Sequence, residues 1–426
     1  MEKISINKID ETIYHEVLDN GLNVYIHVNK DHKVFRAALT VNYGGKDTVF
    51  KLNGKTYTVP QGIAHYLEHT NFNMPGGKKA EDMFEKIHTV NVNAYTNQEF
   101  TSFHITSLTH LRENIEYLIE YVMTPYFTDK LTDKERGIIA QEIQRSKNNI
   151  DRNEYYSFMN ALLKEDHEKY TVLGEEEDIN KITAKDLEFV HKTFYHPENM
   201  VMVVNGNVDP TKVIEIIKNK FKEFKYDKWI KPEIISPKEP KEVNQKEVTI
   251  YENVAIPRID IAYKMPRTLF KDLSKYEQDH YVYIIMNQNF NNQTEFNYNL
   301  KKDKIVKSIY GTVEEFDDYV CLYVSAEALQ PDLAIEKIKE KIHNLEIDER
   351  SLLSYKHDNV SSMITGFDQS EIGNHITYDL MRYGRIINDA YDIHNDVTKE
   401  KLEELISRFD LSECSVLKVL PKEKRD

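Results

Sequence analysis

The sequence has few cysteines and no long apolar run. Only two of its 426 residues are cysteines, Cys321 and Cys414, which excludes a disulfide framework and a zinc ribbon held by cysteine thiolates. Nowhere do 18 consecutive apolar residues occur, and residues 1–15 contain no apolar run of signal-peptide length. We therefore expect a cytoplasmic protein that does not interact with a membrane.

Basic residues are also scarce relative to acidic ones. Lys and Arg number 56 against 71 Asp and Glu, which gives a formal net charge of −15. Nucleic-acid binding depends on clustered cationic side chains, so nucleic acid is not an expected partner. Hydrophobic residues at 40% and charged residues at 30% are typical of a globular protein rather than a disordered chain.

Alternating runs and helical patterns are mixed along the chain. Asn20-Gly21 and Asn53-Gly54 each separate two alternating runs, and each predicts a tight hairpin because Asn-Gly readily adopts two positive φ angles. Helical patterns begin near Gly62 and cover Ala80–His88, Leu111–Val122, Asp133–Ser146 and Ala184–Phe194. Because strands and helices do not alternate regularly, the sequence predicts an α+β fold in which a mostly antiparallel sheet packs against helices.

A charged segment containing three prolines divides the chain almost evenly. It predicts a linker at residues 226–246 between an N-terminal domain at residues 1–225 and a C-terminal domain at residues 247–426. Ile182–Phe194 matches Val397–Phe409 in its Thr, Leu, Glu and Phe positions, and an extended segment follows each, which indicates two duplicated domains. A chance likeness between two threonine-capped helices is the alternative.

The most informative motif is His65-Tyr66-Leu67-Glu68-His69. On a helix that turns about 100° per residue, His65, Glu68 and His69 share one narrow face. Two imidazoles one turn apart can hold zinc, and a neighbouring carboxylate that does not bind the metal can accept a proton from water. The alternative is an ordinary surface helix, where such pairs also occur.

A third zinc ligand should come from a distant element. Glu135 and Glu142 are seven residues apart in a helical pattern and therefore share a face. Because the apolar neighbours Ile138, Ile139 and Ile143 would bury much of this helix, a carboxylate on it requires a charge partner, and a metal is one such partner. A solvated helix face is the alternative interpretation.

The order H-x-x-E-H is that of the inverzincins, and the surrounding residues resemble the pitrilysin/insulinase family of zinc peptidases. The resemblance extends in order over residues 12–210. The segments that carry it are Leu18–Leu22, Gly62–His69, Asn93–Thr96, the pair Glu135 and Glu142, and Tyr195–Met200.

The resemblance implies a zinc endopeptidase built from two duplicated α+β domains, each a mostly antiparallel sheet packed with helices. Two such chain-sized units would enclose a chamber that admits flexible peptides. The implied roles are zinc ligation of one ion by His65, His69 and Glu142, general-base catalysis by Glu68, orientation of a ligand by Glu135, and binding of an extended peptide by Asn93, Ala94, Tyr95 and Thr96.

The chain departs from the family at one place. Family members carry an Arg and, seven residues later, a Tyr that contact the substrate carbonyl, whereas the corresponding positions here are Lys301 and Ser308, with Tyr310 two residues further on. Either a homologous subunit without zinc supplies the missing pair in a heterodimer, or Lys301 and Tyr310 serve in a homodimer. The sequence is also compatible with a non-catalytic structural or binding subunit and with a zinc hydrolase of non-peptide substrates.

Overall fold

The computed structural model describes residues 1–422. Within them the chain forms strands and α-helices in mixed order. The strands are β1 (Glu2–Ile6), β2 (Glu11–Val17), β3 (Asn23–Val28), β4 (Phe35–Val41), β5 (Val49–Leu52), β6 (Lys55–Thr58), β7 (Asn73–Met74), β8 (Lys78–Lys79), β9 (Asn91–Thr96), β10 (Thr101–Ser107), β11 (Met200–Gly206), β12 (Glu233–Ile234), β13 (Glu247–Glu252), β14 (Arg258–Pro266), β15 (Val306–Glu315), β16 (Tyr319–Ala328) and β17 (Cys414–Pro421).

The α-helices lie between these strands in the sequence. They are α1 (Ile63–Asn71), α2 (Ala80–Glu85), α3 (Leu111–Met123), α4 (Asp129–Lys147), α5 (Ile150–Leu162), α6 (Glu176–Ile179), α7 (Ala184–Phe194), α8 (Pro210–Phe221), α9 (Lys275–Phe290), α10 (Glu295–Lys302), α11 (Pro331–Ile342), α12 (Glu349–Phe367), α13 (Ile372–Tyr383), α14 (Ala390–Asn395) and α15 (Lys399–Ser407). Across residues 1–422, no helix combines the length and the apolar composition that crossing a membrane requires.

The described chain forms two compact units, each made of several segments. Unit 1 comprises Met1–Gln144, Tyr170–Ser236 and Ser361–Tyr391, and unit 2 comprises Arg145–Lys169, Pro237–Val360 and the residues from Asp392 onward. The chain crosses from unit 1 to unit 2 between Ser236 and Pro237, within the predicted linker. The units are discontinuous in sequence, unlike the contiguous domains that we predicted.

The two main sheets share one topology. Unit 1 has the strand order β1-β2-β3-β11-β4-β10-β9, and unit 2 has β13-β17-β14-β16-β15. Among the described strand pairs of each sheet, one is parallel, β3 with β11 or β13 with β17, and the others are antiparallel. The last five strands of the first sheet therefore match the second sheet one by one. This confirms the predicted α+β fold with two duplicated, mostly antiparallel domains.

The internal repeat has a structural counterpart at the final strand of each sheet. Thr183 and Thr398 cap α7 and α15, where their side chains accept hydrogen bonds from the N–H groups of Asp186 and Lys401. Each helix leads into the strand that lies second in the shared order, β11 or β17. The likeness of the two segments thus reflects equivalent positions in the fold.

Each sheet is covered on both faces, and one covering helix comes from the other half of the sequence. In unit 1, Ile372, Ile376 and Leu380 of α13 pack with Val203 of β11. In unit 2, Phe158 and neighbouring residues of α5 pack against the sheet. Because the apolar stripe of a helix can be buried against any sheet face within reach, the contiguous boundaries drawn from the sequence do not follow the packing.

The two Asn-Gly turns differ. Asn53 and Gly54 both have positive φ, 52° and 78°, and form the predicted tight hairpin. At the first turn only Gly21 is left-handed, and the N–H of Leu18 donates to the carbonyl of Leu22 in a wider loop. The tight turn predicted there is therefore wrong. A Cβ at Gly21 would lie 2.3 Å from Glu198 Cγ, so close packing as well as the positive φ favours glycine at this position.

The predicted linker is ordered. Its β12 segment pairs with β5 in unit 1. Further on, the buried carboxylate of Glu239 contacts the Lys264 ammonium group in unit 2 and accepts hydrogen bonds from the N–H groups of Lys164, Glu165 and Asp166. Charged residues that a sequence pattern assigns to a solvated linker are therefore anchored by pairing.

Candidate metal centre

Helix α1 begins at a glycine that the fold requires. Gly62 precedes the helix with φ of 83°, and a Cβ there would lie 2.5 Å from the carbonyl oxygen of Leu173. The following turn buries Tyr66 and Leu67 completely, and the Tyr66 hydroxyl donates to the carbonyl of Thr132 on α4. These contacts orient α1 so that the opposite face carries the H-x-x-E-H side chains.

The two histidines and Glu142 converge on one point. The ring centroids of His65 and His69 are 4.6 Å apart. Glu142 Oε2 lies 3.8 Å from His65 Nε2 and 3.5 Å from His69 Nε2. Helix α4 places Glu142 there because Ile139 and Ile143 on the same helix are fully buried in the core of unit 1. The burial predicted for Ile138 is wrong, since this side chain lies on the exposed face of α4.

This donor set fits a zinc ion. One ligand atom from each of His65, His69 and Glu142 lies within 4.8 Å of the other two. Two imidazole nitrogens and one carboxylate oxygen are donors that zinc prefers in catalytic sites. Among residues 1–422, no other group of three His, Cys, Asp or Glu side chains meets this condition. The structure thus brings together the three residues to which the family resemblance assigned zinc ligation.

Burial and mutual charge set the protonation of the metal-free centre. Burial lowers the pKa of His65 to about 4, and the neighbouring His69 adds to the effect. Burial raises the pKa of Glu68, although a hydrogen bond from Thr96 opposes the rise. Burial also disfavours protonated His69, but its hydrogen bond to Glu142 and the surrounding carboxylates raise its pKa. His65 is therefore held as the neutral imidazole that coordinates metals.

Glu135 lies behind the histidines. Its side chain is 5% exposed, and its Oε2 is 3.9 Å from His69 Nδ1. An outer carboxylate at this nitrogen orients the ring and leaves Nε2 on the side of Glu142. The geometry is thus compatible with the orienting role that the resemblance implies for Glu135.

The segment Asn93–Thr96 belongs to β9, the terminal strand of the sheet in unit 1. The Thr96 hydroxyl donates to Glu68 Oε2 over 2.6 Å, which joins this edge strand directly to helix α1. Ala94 is buried, whereas Asn93 is exposed and its side chain accepts a hydrogen bond from the N–H of Ala94. The order of strands gives β9 a partner, β10, on one side.

Lys301 and Tyr310 both lie in unit 2. Lys301 is on α10, where its ammonium group donates to Asn292 Oδ1 over 2.9 Å. Tyr310 is on the terminal strand β15, and 54% of its surface is exposed. Ser308 on the same strand donates to Glu327 Oε2 over 3.0 Å. The substrate contacts suggested for Lys301 and Tyr310 stay predictions.

Two contacts of Glu135 were missed from the sequence. Glu135 Oε1 lies 3.6 Å from Lys79 Nζ and 3.5 Å from Asn73 Nδ2. Both residues belong to the short β7–β8 hairpin, which turns at Pro75–Gly77. The Pro-Gly-Gly sequence indicates a turn, but no local pattern shows that the strand after it returns to the metal centre.

The order H-x-x-E-H on α1 is the pattern of the inverzincin class. Comparison with known proteins gives the family. Residues 57–176 match the family described as Insulinase (Peptidase family M16), and residues 181–352 match the family described as Peptidase M16 inactive domain. The chain belongs to the M16, or pitrilysin/insulinase, family of zinc proteases.

Individual relatives agree with this assignment. The chain is 35% identical over 281 residues to the Uncharacterized zinc protease YmfH of Bacillus subtilis, a match that spans 65% of each chain. It is 25% identical to Zinc protease PqqE of Helicobacter pylori over 76% of this chain and 75% of that protein. A crystal structure of an M16-like peptidase from Alicyclobacillus acidocaldarius shares the fold, with a TM-score of 0.89, 24% identity, and coverage of 98% of this chain and 100% of that one.

Proposed function

We propose that this chain is a zinc-dependent endopeptidase that binds one zinc ion through His65, His69 and Glu142. The observation that carries the proposal is the convergence of these three donors within 4.8 Å, next to a glutamate that is hydrogen-bonded to an edge strand. A zinc ion held there would supply Lewis acidity, which acidifies a water molecule and polarises a carbonyl group.

Glu68 is the general base of the proposed reaction. Its carboxylate lies on the face of α1 that carries the two histidines, and burial favours proton uptake by raising its pKa. Glu68 takes a proton from the attacking water and later gives it to the leaving amine. The hydrogen bond from Thr96 fixes the orientation of the carboxylate during both transfers.

The substrate is proposed to be a flexible peptide. As the terminal strand of its sheet, β9 offers backbone groups to a chain that adds alongside it. Such addition places a peptide carbonyl beside Glu68, because Thr96 at the end of β9 contacts that residue. Recognition through the backbone favours extended chains over small non-peptide substrates and makes modest demands on side chains.

A second homologous unit is proposed to complete the enzyme. By the family resemblance, Lys301 and Ser308 correspond to the Arg and Tyr that contact the substrate, and a lysine lacks the planar fork of a guanidinium group. Either a subunit without the zinc motif or a second copy of this chain would supply those contacts and close the chamber. Peptide assays of the chain alone and with a homologous subunit that lacks the zinc motif separate the two cases.

The decisive test of the function is Glu68→Gln. We expect the variant to keep one zinc per chain, because Glu68 is not a ligand, and to lose at least about a hundredfold in peptide hydrolysis, the low end of general-base effects. The matched control is Glu215→Gln on the exposed face of α8, which should change neither quantity. Zinc-loaded native protein that cleaves no peptide with any homologous partner would instead support a non-catalytic subunit. Cleavage of non-peptide esters or amides alone would support a zinc hydrolase of non-peptide substrates.

A further inference from the structure

The two oxygens of Glu135 face different partners. Oε2 is 3.9 Å from His69 Nδ1, whereas Oε1 is 3.6 Å from Lys79 Nζ. The Glu135 side chain is 5% exposed, and a carboxylate buried to this degree requires compensation by a cation. Lys79, whose side chain is 36% exposed, supplies a positive charge at the edge of the metal centre.

The β7–β8 hairpin explains how Lys79 reaches Glu135. Gly76 and Gly77 adopt φ of 78° and 76° at its turn, which sends the chain directly back on itself. Asn73 and Lys79 are paired across the two strands, so their side chains lie on the same face, and both contact Glu135 Oε1. Lys78 is paired with Met74 instead and is exposed, so its side chain belongs to the other face.

We propose that Lys79 is a positioning residue of the metal centre, an inference that rests on the proposed zinc site. By holding Oε1 of Glu135, it keeps Oε2 directed at His69 Nδ1, which fixes the imidazole with Nε2 toward Glu142. The formal charges agree with this role. Glu68, Glu135 and Glu142 contribute three negative charges, which a divalent cation and Lys79 balance together.

The test compares zinc affinities of the full chain by competition with a chelator. We expect Lys79→Met to weaken zinc binding about 10-fold, the low end of the range for removing a direct partner of a ligand, because Lys79 acts through Glu135. Lys79→Arg should restore the affinity to within about threefold of the native value, since it keeps the charge. Lys78→Met is the matched control on the neighbouring residue and should leave the affinity unchanged.

Thermal unfolding of the metal-free variants separates positioning from folding. We expect the unfolding temperatures of the metal-free Lys79→Met and Lys78→Met chains to agree, because Lys79 lies on a partly exposed hairpin. Native zinc affinity in Lys79→Met, or failure of Lys79→Arg to restore it, would overturn the inference and leave the proposed function intact. A native chain that binds no zinc would overturn both.

Discussion

The same helix-against-edge-strand arrangement occurs in both units with opposite chemistry. In unit 1, α1 packs against β9, and the contact includes the hydrogen bond between Thr96 and Glu68. In unit 2, α9 packs against β15, the strand at the equivalent position, and the contact is apolar, with Gly311 against the fully buried ring of Phe290. The duplicated framework therefore tolerates either a polar or an apolar interface at this position.

The difference lies in how the buried face of each helix is stabilised. Val282, Ile285 and Met286 of α9 are completely buried in the core of unit 2. On α1, His65 and Glu68 are nearly as buried, at 7% and 8% exposure. Burial of polar groups is unfavourable unless each is compensated. The polar face of α1 is compensated by Thr96 and Glu135, and the zinc ion that we propose would add to them, whereas α9 is stabilised by apolar packing.

The largest effect is expected from breaking the polar interface of unit 1. Thr96→Val removes the hydrogen bond to Glu68 without changing the shape of the side chain. A hydrogen bond to a charged group contributes about 1.5–3 kcal/mol, so peptide hydrolysis should fall about 10- to 100-fold at unchanged zinc content. Steady-state kinetics with metal analysis measures both quantities. Thr96→Ser is the control, because it keeps the hydroxyl, and a native rate in Thr96→Val would show that Glu68 needs no such support.

A smaller effect is expected from crowding the apolar contact between α9 and β15 in unit 2. A Cβ at Gly311 would lie 2.8 Å from Phe290 Cβ, so Gly311→Ala should destabilise the protein by about 1–3 kcal/mol. Urea denaturation measures the change. Gly366→Ala is the matched control, since nothing lies within 4 Å of a Cβ at that position on α12, and it should be neutral or slightly stabilising. Equal stability of both variants would contradict the close packing of α9 on β15.

The smallest expected effect is a pH dependence of the protein's stability that arises from Glu314 on β15. Burial, with the charges of Glu315 and Asp260, raises the pKa of Glu314 to about 7, well above the value of a free glutamate. The folded state therefore binds a proton that the unfolded state releases, and this contribution to stability is lost as the pH rises from about 4.5 through 7. Glu314→Gln should gain stability relative to the native protein over that range.

Denaturant unfolding at several pH values between 5 and 8 measures the difference between Glu314→Gln and the native chain. Glu327→Gln is the control, because the Lys307 ammonium group and Ser308 lower the pKa of Glu327. The stability of this variant relative to the native chain should therefore not increase as the pH rises. A stability difference for Glu314→Gln that stays constant across the range would show that Glu314 titrates normally in the folded protein.

The parts of the site that follow from local periodicity could be predicted from the sequence. His65, Glu68 and His69 share a face because the helix period fixes their spacing, and the same period directs Tyr66 and Leu67 away from that face, into the core where both lie. Periodicity also showed that Glu142 shares a helix face with Glu135. Only the family resemblance indicated that this face meets the histidines, since helix pairing is not encoded locally.

The features that sequence reasoning missed depend on long-range packing. Lys79 reaches Glu135 through a hairpin whose direction is fixed by surrounding structure, and Gly21 is constrained by Glu198, which is remote in sequence. Helices α5 and α13 pack on the sheet formed mainly by the other half of the chain, as their amphipathic patterns alone could not show. Pattern identifies which surfaces are apolar, but it does not identify their partners.

The most direct test of the account is a crystal structure of the zinc-loaded chain with anomalous data on both sides of the zinc absorption edge. We expect one zinc peak per chain, at about 2.0–2.2 Å from His65 Nε2, His69 Nε2 and an oxygen of Glu142, with none in unit 2. Glu142 turned away from the histidines, or no peak between these three side chains, would contradict the proposal that they form the catalytic metal centre.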